Sequence, residues 1–185
     1  MASNGGKMNK GIINISMIVF SIIGFSNLSL AQIPFQEEGV EFGMSKAEVA
    51  KILNGKFKLK AGSILSNGAR AYNLNNQIEF CNCRFSVSMN FEKSDVLKGI
   101  FLYFESAASG VFGNREFKIT EFANPEPVFS YLENCLKAKI GEPRPHGPVP
   151  FAGIRIQQWD FQNVLVSVYW DASFTGRRIL MTYEK

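Results

Sequence analysis

The sequence predicts an α+β protein built as two tandem helix-plus-antiparallel-β-meander units, with the helices packed on one face of the sheets. Three observations predict it. Helix-start and helix-stop signals occur twice, around Ser45 to Gly55 and around Asn124 to Gly141. Each pair is followed by segments in which apolar and polar residues alternate, the two-residue period of a half-buried strand. The residues ahead of the first helix have the order of an export leader rather than of a folded element. The predicted division is a signal peptide at 1–31, a first unit at 32–116 and a second unit at 117–185.

The leader reading rests on three features in sequence. Lys7 and Lys10 form a basic start, Gly11 to Phe25 is an almost uncharged apolar run, and Ser29-Leu30-Ala31 places small residues at a cleavage site before Gln32. The run is short for a membrane span, which needs about 20 residues. Cleavage near Ala31 predicts a periplasmic or secreted chain. Gln32 stands where a lipoprotein carries cysteine, and no second apolar segment approaches membrane-spanning length, so neither a lipid anchor nor a transmembrane span is expected.

In the first unit, Ser45 and Glu48 have capping-box spacing, and Met44 and Val49 are placed as a hydrophobic staple. Val49, Ile52 and Leu53 make one apolar stripe, and Gly55 supplies a left-handed stop. A weak strand is expected at Arg70 to Leu74 after a Gly/Ser/Asn-rich stretch. Cys83, Phe85, Val87, Met89 and Phe91 then alternate with Arg84, Ser86, Ser88 and Asn90, and a turn at Glu92 to Asp95 leads into a strand at Leu97 to Phe104. In the second unit Asn124 caps and Pro125 takes the first helical position. Val128, Phe129, Leu132, Cys135, Leu136 and Ile140 line one side, and Gly141 and Pro143 end the helix. Strands are expected at Ile154 to Phe161, Val164 to Trp170 and Arg178 to Tyr183, with turns at Gln162-Asn163 and Asp171 to Gly176. The rival reading is a single α+β domain whose meanders only look alike.

Composition excludes some function classes. Without Lys7 and Lys10 the chain has 18 basic and 16 acidic residues, and no basic run exceeds Arg177-Arg178, so no nucleic-acid footprint is present. The single histidine, His146, lies in the proline-rich Pro143 to Pro148 stretch without an orienting partner. No G-x-S-x-G, H-E-x-x-H or phosphate-binding glycine pattern occurs. Asp160 and Asp171 are distant carboxylates that nothing in the sequence pairs. The reading is therefore non-enzymatic, with no cofactor and no metal.

The three cysteines are read as structural. Cys83 lies on the apolar face of its strand and Cys135 on the apolar stripe of the second helix, so a Cys83–Cys135 bridge is expected, with Cys81 as the alternative partner. Cys81, Cys83, Cys135 and His146 formally make a zinc set. Cysteines two apart on an extended strand stand nearly 7 Å apart, which tetrahedral zinc does not accept.

Gly43-Met44-Ser45-Lys46-Ala47-Glu48-Val49 with Ile52, Leu53 and Gly55 resembles the G-M-[ST]-x-x-x-V helix opening of the SmpA/OmlA proteins. The same opening occurs in the β-lactamase inhibitor proteins. Lys139-Ile140-Gly141-Glu142-Pro143 resembles the K-Y-G-x-P helix end of many exported bacterial proteins. The resemblance implies a tandem α+β repeat and a habit of binding other proteins. The SmpA/OmlA family is lipid-anchored, whereas this chain has Gln32.

The predicted function is accordingly an exported protein-binding module, an inhibitor or envelope accessory factor, acting through a sheet face and loop aromatics. Phe112 and Phe174 are the loop anchors, and Arg155, Arg177 and Arg178 form the rim. Trp159 and Tyr169 are expected to share a face as a cross-strand pair, leaving Trp170 on the other, candidate binding, face. The alternative is a small-ligand carrier or a hydrolase with a cleft between the units.

Overall fold

The computed structural model describes residues 34–111, 113, 117–118, 126–145, 153–171 and 178–185. The expected leader and the helix start expected at Asn124-Pro125, together with His146, Phe112, Phe174 and Arg177, lie outside the described residues.

Nine described strands join in one antiparallel sheet. In chain order they are β1 (Leu59–Ile64), β2 (Arg70–Leu74), β3 (Ile78–Phe80), β4 (Cys83–Phe91), β5 (Leu97–Ala107), β6 (Phe117–Lys118), β7 (Ile154–Phe161), β8 (Val164–Asp171) and β9 (Arg178–Glu184). The two helices are α1 (Lys46–Leu53) and α2 (Glu126–Ile140). Across the sheet the order is β1-β2-β4-β5-β9-β8-β7, with β3 adding to β4 and β6 to β5.

This corrects the expectation of two tandem helix-plus-meander units. β5 pairs directly with β9, Ile100 opposite Tyr183 and Leu102 opposite Met181, so the strands of both halves belong to one layer. The physical reason is edge satisfaction. A separate three-stranded sheet of β7, β8 and β9 would leave β9 an open edge and expose Ile179, Met181 and Tyr183, all of which are buried here.

Local chemistry explains most elements. The capping box of α1 is formed: Ser45 Oγ accepts from the Glu48 N–H, and a Glu48 carboxylate oxygen accepts from the Ser45 N–H at 2.8 Å. Gly55 follows at φ +97°, the left-handed stop. The entry to α1 is laced to the β4–β5 turn, because the Gly43 N–H donates to Leu97 O and the Leu97 N–H to Met44 O. In α2, Val128, Phe129, Leu132 and Leu136 are buried, and Gly141 turns the chain at φ +90°. The Trp159 indole N–H donates to the carbonyl of Gly141, the residue that follows this helix, at 2.9 Å.

Both helices feed one hydrophobic core. Val49 and Leu53 of α1, the inward side chains of α2, and Phe85, Val87, Met89, Leu102, Met181, Val166 and Trp159 from the sheet all belong to a single buried cluster. The opposite face of the sheet has no described helix over it.

The two-residue turns set the register. Gln162 and Asn163 both have positive φ (50° and 62°), as a type I′ hairpin turn requires, and they put Trp159 opposite Val166. Tyr169 therefore lies opposite Ile156, and Trp170 opposite Arg155. The expected Trp159–Tyr169 pair is overturned. The turn makes residues of opposite parity share a face, so Trp159 and Trp170 are on the helix side and Tyr169 is on the other.

Gly99 marks a close approach. A β-carbon there would sit 2.6 Å from Cε2 of Phe101, whose ring covers the glycine. Gly99→Ala is expected to destabilise the protein by about 1–3 kcal/mol through overpacking. In denaturant titrations the loss should shrink when Phe101→Ala is added, and additive losses would show that the two sites are not in contact.

Candidate functional site: the open face of the sheet

The registers lay out, row by row, the face over which no described helix lies. One row runs across β4, β5, β9, β8 and β7 as Ser86, Tyr103, Leu180, Tyr169 and Ile156. The next runs Lys60, Asn73, Ser88, Phe101, Thr182, Ser167 and Gln158 from β1 to β7. Tyr103, Leu180, Tyr169 and Ile156 are only half-buried, although no described element packs above them.

Beside that apolar ridge the second row is low. Ser88, Ser167 and Thr182 are small and buried between taller neighbours. Gln158 donates to the Ser167 hydroxyl at 3.2 Å, and Ser86 donates to the Glu105 carboxylate at 2.7 Å. The Thr182 hydroxyl is buried and has no hydrogen-bond partner among the described residues. The step between ridge and low row opens into a groove of about 590 Å³, bounded by Leu65, Ala71, Asn73, Phe101, Tyr103 and Leu180. A solvated antiparallel sheet face is ordinarily polar; this one places two tyrosines, a phenylalanine, a leucine and an isoleucine in adjacent rows.

A second concavity, about 390 Å³, lies on the helix side between Phe35, Phe57, Phe80 and Lys139. Glu37, Glu38 and Glu79 line it. Lys56 already pairs with Glu38 at 3.3 Å, and Lys139 Nζ sits 5.8 Å from the Phe80 ring centre.

The sequence-predicted residues fall elsewhere. Trp170 is on the helix side, at the margin of the core, with its indole N–H buried and without a hydrogen-bond partner among the described residues. Arg155 also faces α2. Its guanidinium pairs with Glu126, approaches Glu133 at 4.0 Å and lies 4.6 Å from the Phe129 ring centre. That head group clamps α2 to β7. Arg178 opens β9, opposite Asp171.

The cysteine expectation is corrected in its partner. The disulfide joins Cys81 to Cys135, Cα atoms 6.3 Å apart, and Cys83 is left as a buried free thiol. Cys81 and Asn82 form the β3–β4 hairpin turn, both at positive φ, so Cys81 is at the tip rather than in the strand. From the tip it reaches α2, while Cys83 points into the sheet core. The same bond consumes two of the three thiols of the formal zinc set. Among the described residues no cluster of three His, Cys, Asp or Glu side chains could hold a metal ion, and no helix is long and apolar enough to cross a membrane.

Sequence reasoning missed the ridge. The signal was available in β5, where Ile100, Leu102 and Phe104 alternate with Phe101 and Tyr103, so both faces are apolar. In β4 the alternate residues are polar.

Comparison of the chain with protein-family models, with curated proteins and with solved structures finds no match. The class defined by the geometry is thus an antiparallel sheet with helices on one face and an aromatic ridge on the other.

Burial, with the Glu79 charge as a lesser cause, pushes the Cys83 thiol from its ordinary 9.0 up to about 12. Iodoacetamide at pH 8 should leave Cys83 unmodified in the folded protein and label it after denaturation. Because the unfolded thiol ionises first, its contribution to stability should be lost as the pH rises from about 9 towards 12, a fall that Cys83→Ala removes in pH-dependent unfolding. Cys81→Ser should cost about 2–4 kcal/mol in the same assay.

Proposed function

We propose that this chain is an exported, non-enzymatic module that recognises another protein through the open face of its sheet. The observation that carries the reading is the row Tyr103–Leu180–Tyr169–Ile156, four half-buried apolar side chains aligned across four strands with nothing described above them. Aromatic anchors at the centre of a patch, flanked by polar groups, are the pattern of interface hot spots. Here Asn73, Ser86, Glu105 and Gln158 supply the polar surround. Tyrosine suits this role because it contributes large area at small entropy cost and keeps a hydroxyl for directional bonding.

Export fits the same picture. The Lys7–Ala31 leader supplies an address, and the Cys81–Cys135 bond belongs to an oxidising compartment. Sequencing of the product recovered outside the cytoplasm should begin at Gln32.

The ridge is tested by affinity capture from the envelope of the source cells. Tyr169→Ala and Leu180→Glu should each reduce recovery of the captured protein at least about tenfold while leaving the unfolding midpoint near that of the parent. Lys51→Glu on α1, away from the ridge, should leave recovery unchanged. Equal recovery with both ridge variants overturns the proposal.

A further inference from the structure

The two edges of the sheet are treated differently. At one side the β7 edge is strapped: the Arg144 N–H donates to the Gln158 carbonyl at 2.7 Å, and the Arg144 guanidinium pairs with Asp160. At the other side β1 is the terminal strand, and among the described residues nothing pairs with its outer edge. Its residues from Lys60 to Ile64 are all exposed, and Ile64, 71 % exposed, is the most accessible large apolar side chain described.

The backbone of β1 shows which groups point outwards. The Lys58 N–H donates to Asn75 Oδ1 and its carbonyl accepts from the Asn75 N–H, so Lys58 turns its polar groups towards β2. Antiparallel ladders alternate, so Leu59 and Ala61 turn theirs to the outside. The side chains alternate as well. Lys56, Lys58 and Lys60 interleave with Phe57, Leu59 and Ala61, and the register places Lys60 on the ridge side of the sheet. Lys56 is paired with Glu38, while Lys58 and Lys60 make no ion pair among the described residues.

We infer that β1 is a strand-addition site for an extended peptide segment with carboxylates on alternate residues. Such a segment would bond through its backbone to the outward groups of Leu59 and Ala61. Its carboxylates would lie opposite Lys58 and Lys60, within the cross-strand distance of about 5 Å at which opposite charges attract. Its intervening apolar residues would face the side of Leu59, Ala61 and Tyr72. A second copy of β1 is disfavoured, since antiparallel pairing would bring lysine rows together. This surface is separate from the ridge, and either can fail without the other.

The test uses the full chain and two acetylated hexapeptides, Glu-Val-Glu-Val-Glu-Val and Lys-Val-Lys-Val-Lys-Val, followed by calorimetry and amide hydrogen exchange. The acidic peptide should slow exchange at Leu59 and Ala61, bind at least about tenfold tighter than the basic one, and weaken as salt is raised. Lys58→Glu with Lys60→Glu should reverse the preference. Ala61→Pro, which removes an outward donor only, should abolish protection at Leu59 with the unfolding midpoint kept. The charge reversal stands as the test if that variant does not fold. Tyr169→Ala should leave peptide binding intact. Absence of protection at Leu59, equal affinity for both peptides, or concentration-dependent self-association of the parent chain through β1 would each overturn the inference.

Discussion

The pairing of β5 with β9 is the contact on which the rest of the molecule depends. It brings a strand from the first half of the chain against the last strand, and it aligns Ile100, Leu102, Met181 and Tyr183 in one buried band. Without it the chain would have two small sheets, each with an extra edge and a smaller core. With it, the apolar surface under both helices merges into one cluster, and burial of that surface is the dominant stabilising contribution. The cost is topological. Residues more than 70 positions apart must meet before the band is formed, as with Leu102 and Met181, which places this fold among those dominated by non-local contacts.

Joining the halves also creates an asymmetry of faces. Both helices contribute to the same core cluster, so one side of the sheet is covered, and the covering is reinforced at three points. Cys81–Cys135 ties a hairpin tip to α2, Arg155 clamps α2 to β7, and the Trp159 indole meets the end of α2 at Gly141. The other side is left to small polar residues and an aromatic ridge. Cation and disulfide thus hold the helix layer, while the face with no described helix carries the small polar residues and the ridge. Arg155 and Trp170 illustrate the point: residue types common in interfaces serve here as packing elements because their strand positions face the helices.

Much of the local structure was legible. The Ser45–Glu48 capping box, the left-handed stops at Gly55 and Gly141, and the strands at Arg70–Leu74 and Ile154–Phe161 follow from patterns a few residues long. β1 escaped because Gly62 and Ser63 resemble a loop, although the Lys–apolar alternation before them has strand period. The Trp159–Tyr169 pairing failed on parity: a two-residue turn at Gln162-Asn163 fixes which residues share a face, and a slip of one residue reverses every side chain. Cys81, the alternative partner, is the one that reaches Cys135 because it occupies the turn at the hairpin tip, whereas Cys83 lies within the strand.

The amino-acid sequence by itself determined the elements, because caps, glycine stops and hydrophobic periods act over one or two turns of chain. Only the tertiary structure decided how the elements are joined, which cysteine reaches Cys135, and that Tyr103, Leu180, Tyr169 and Ile156 form one row. Those outcomes depend on strand neighbours distant in sequence, and no local pattern encodes which edge a strand will choose.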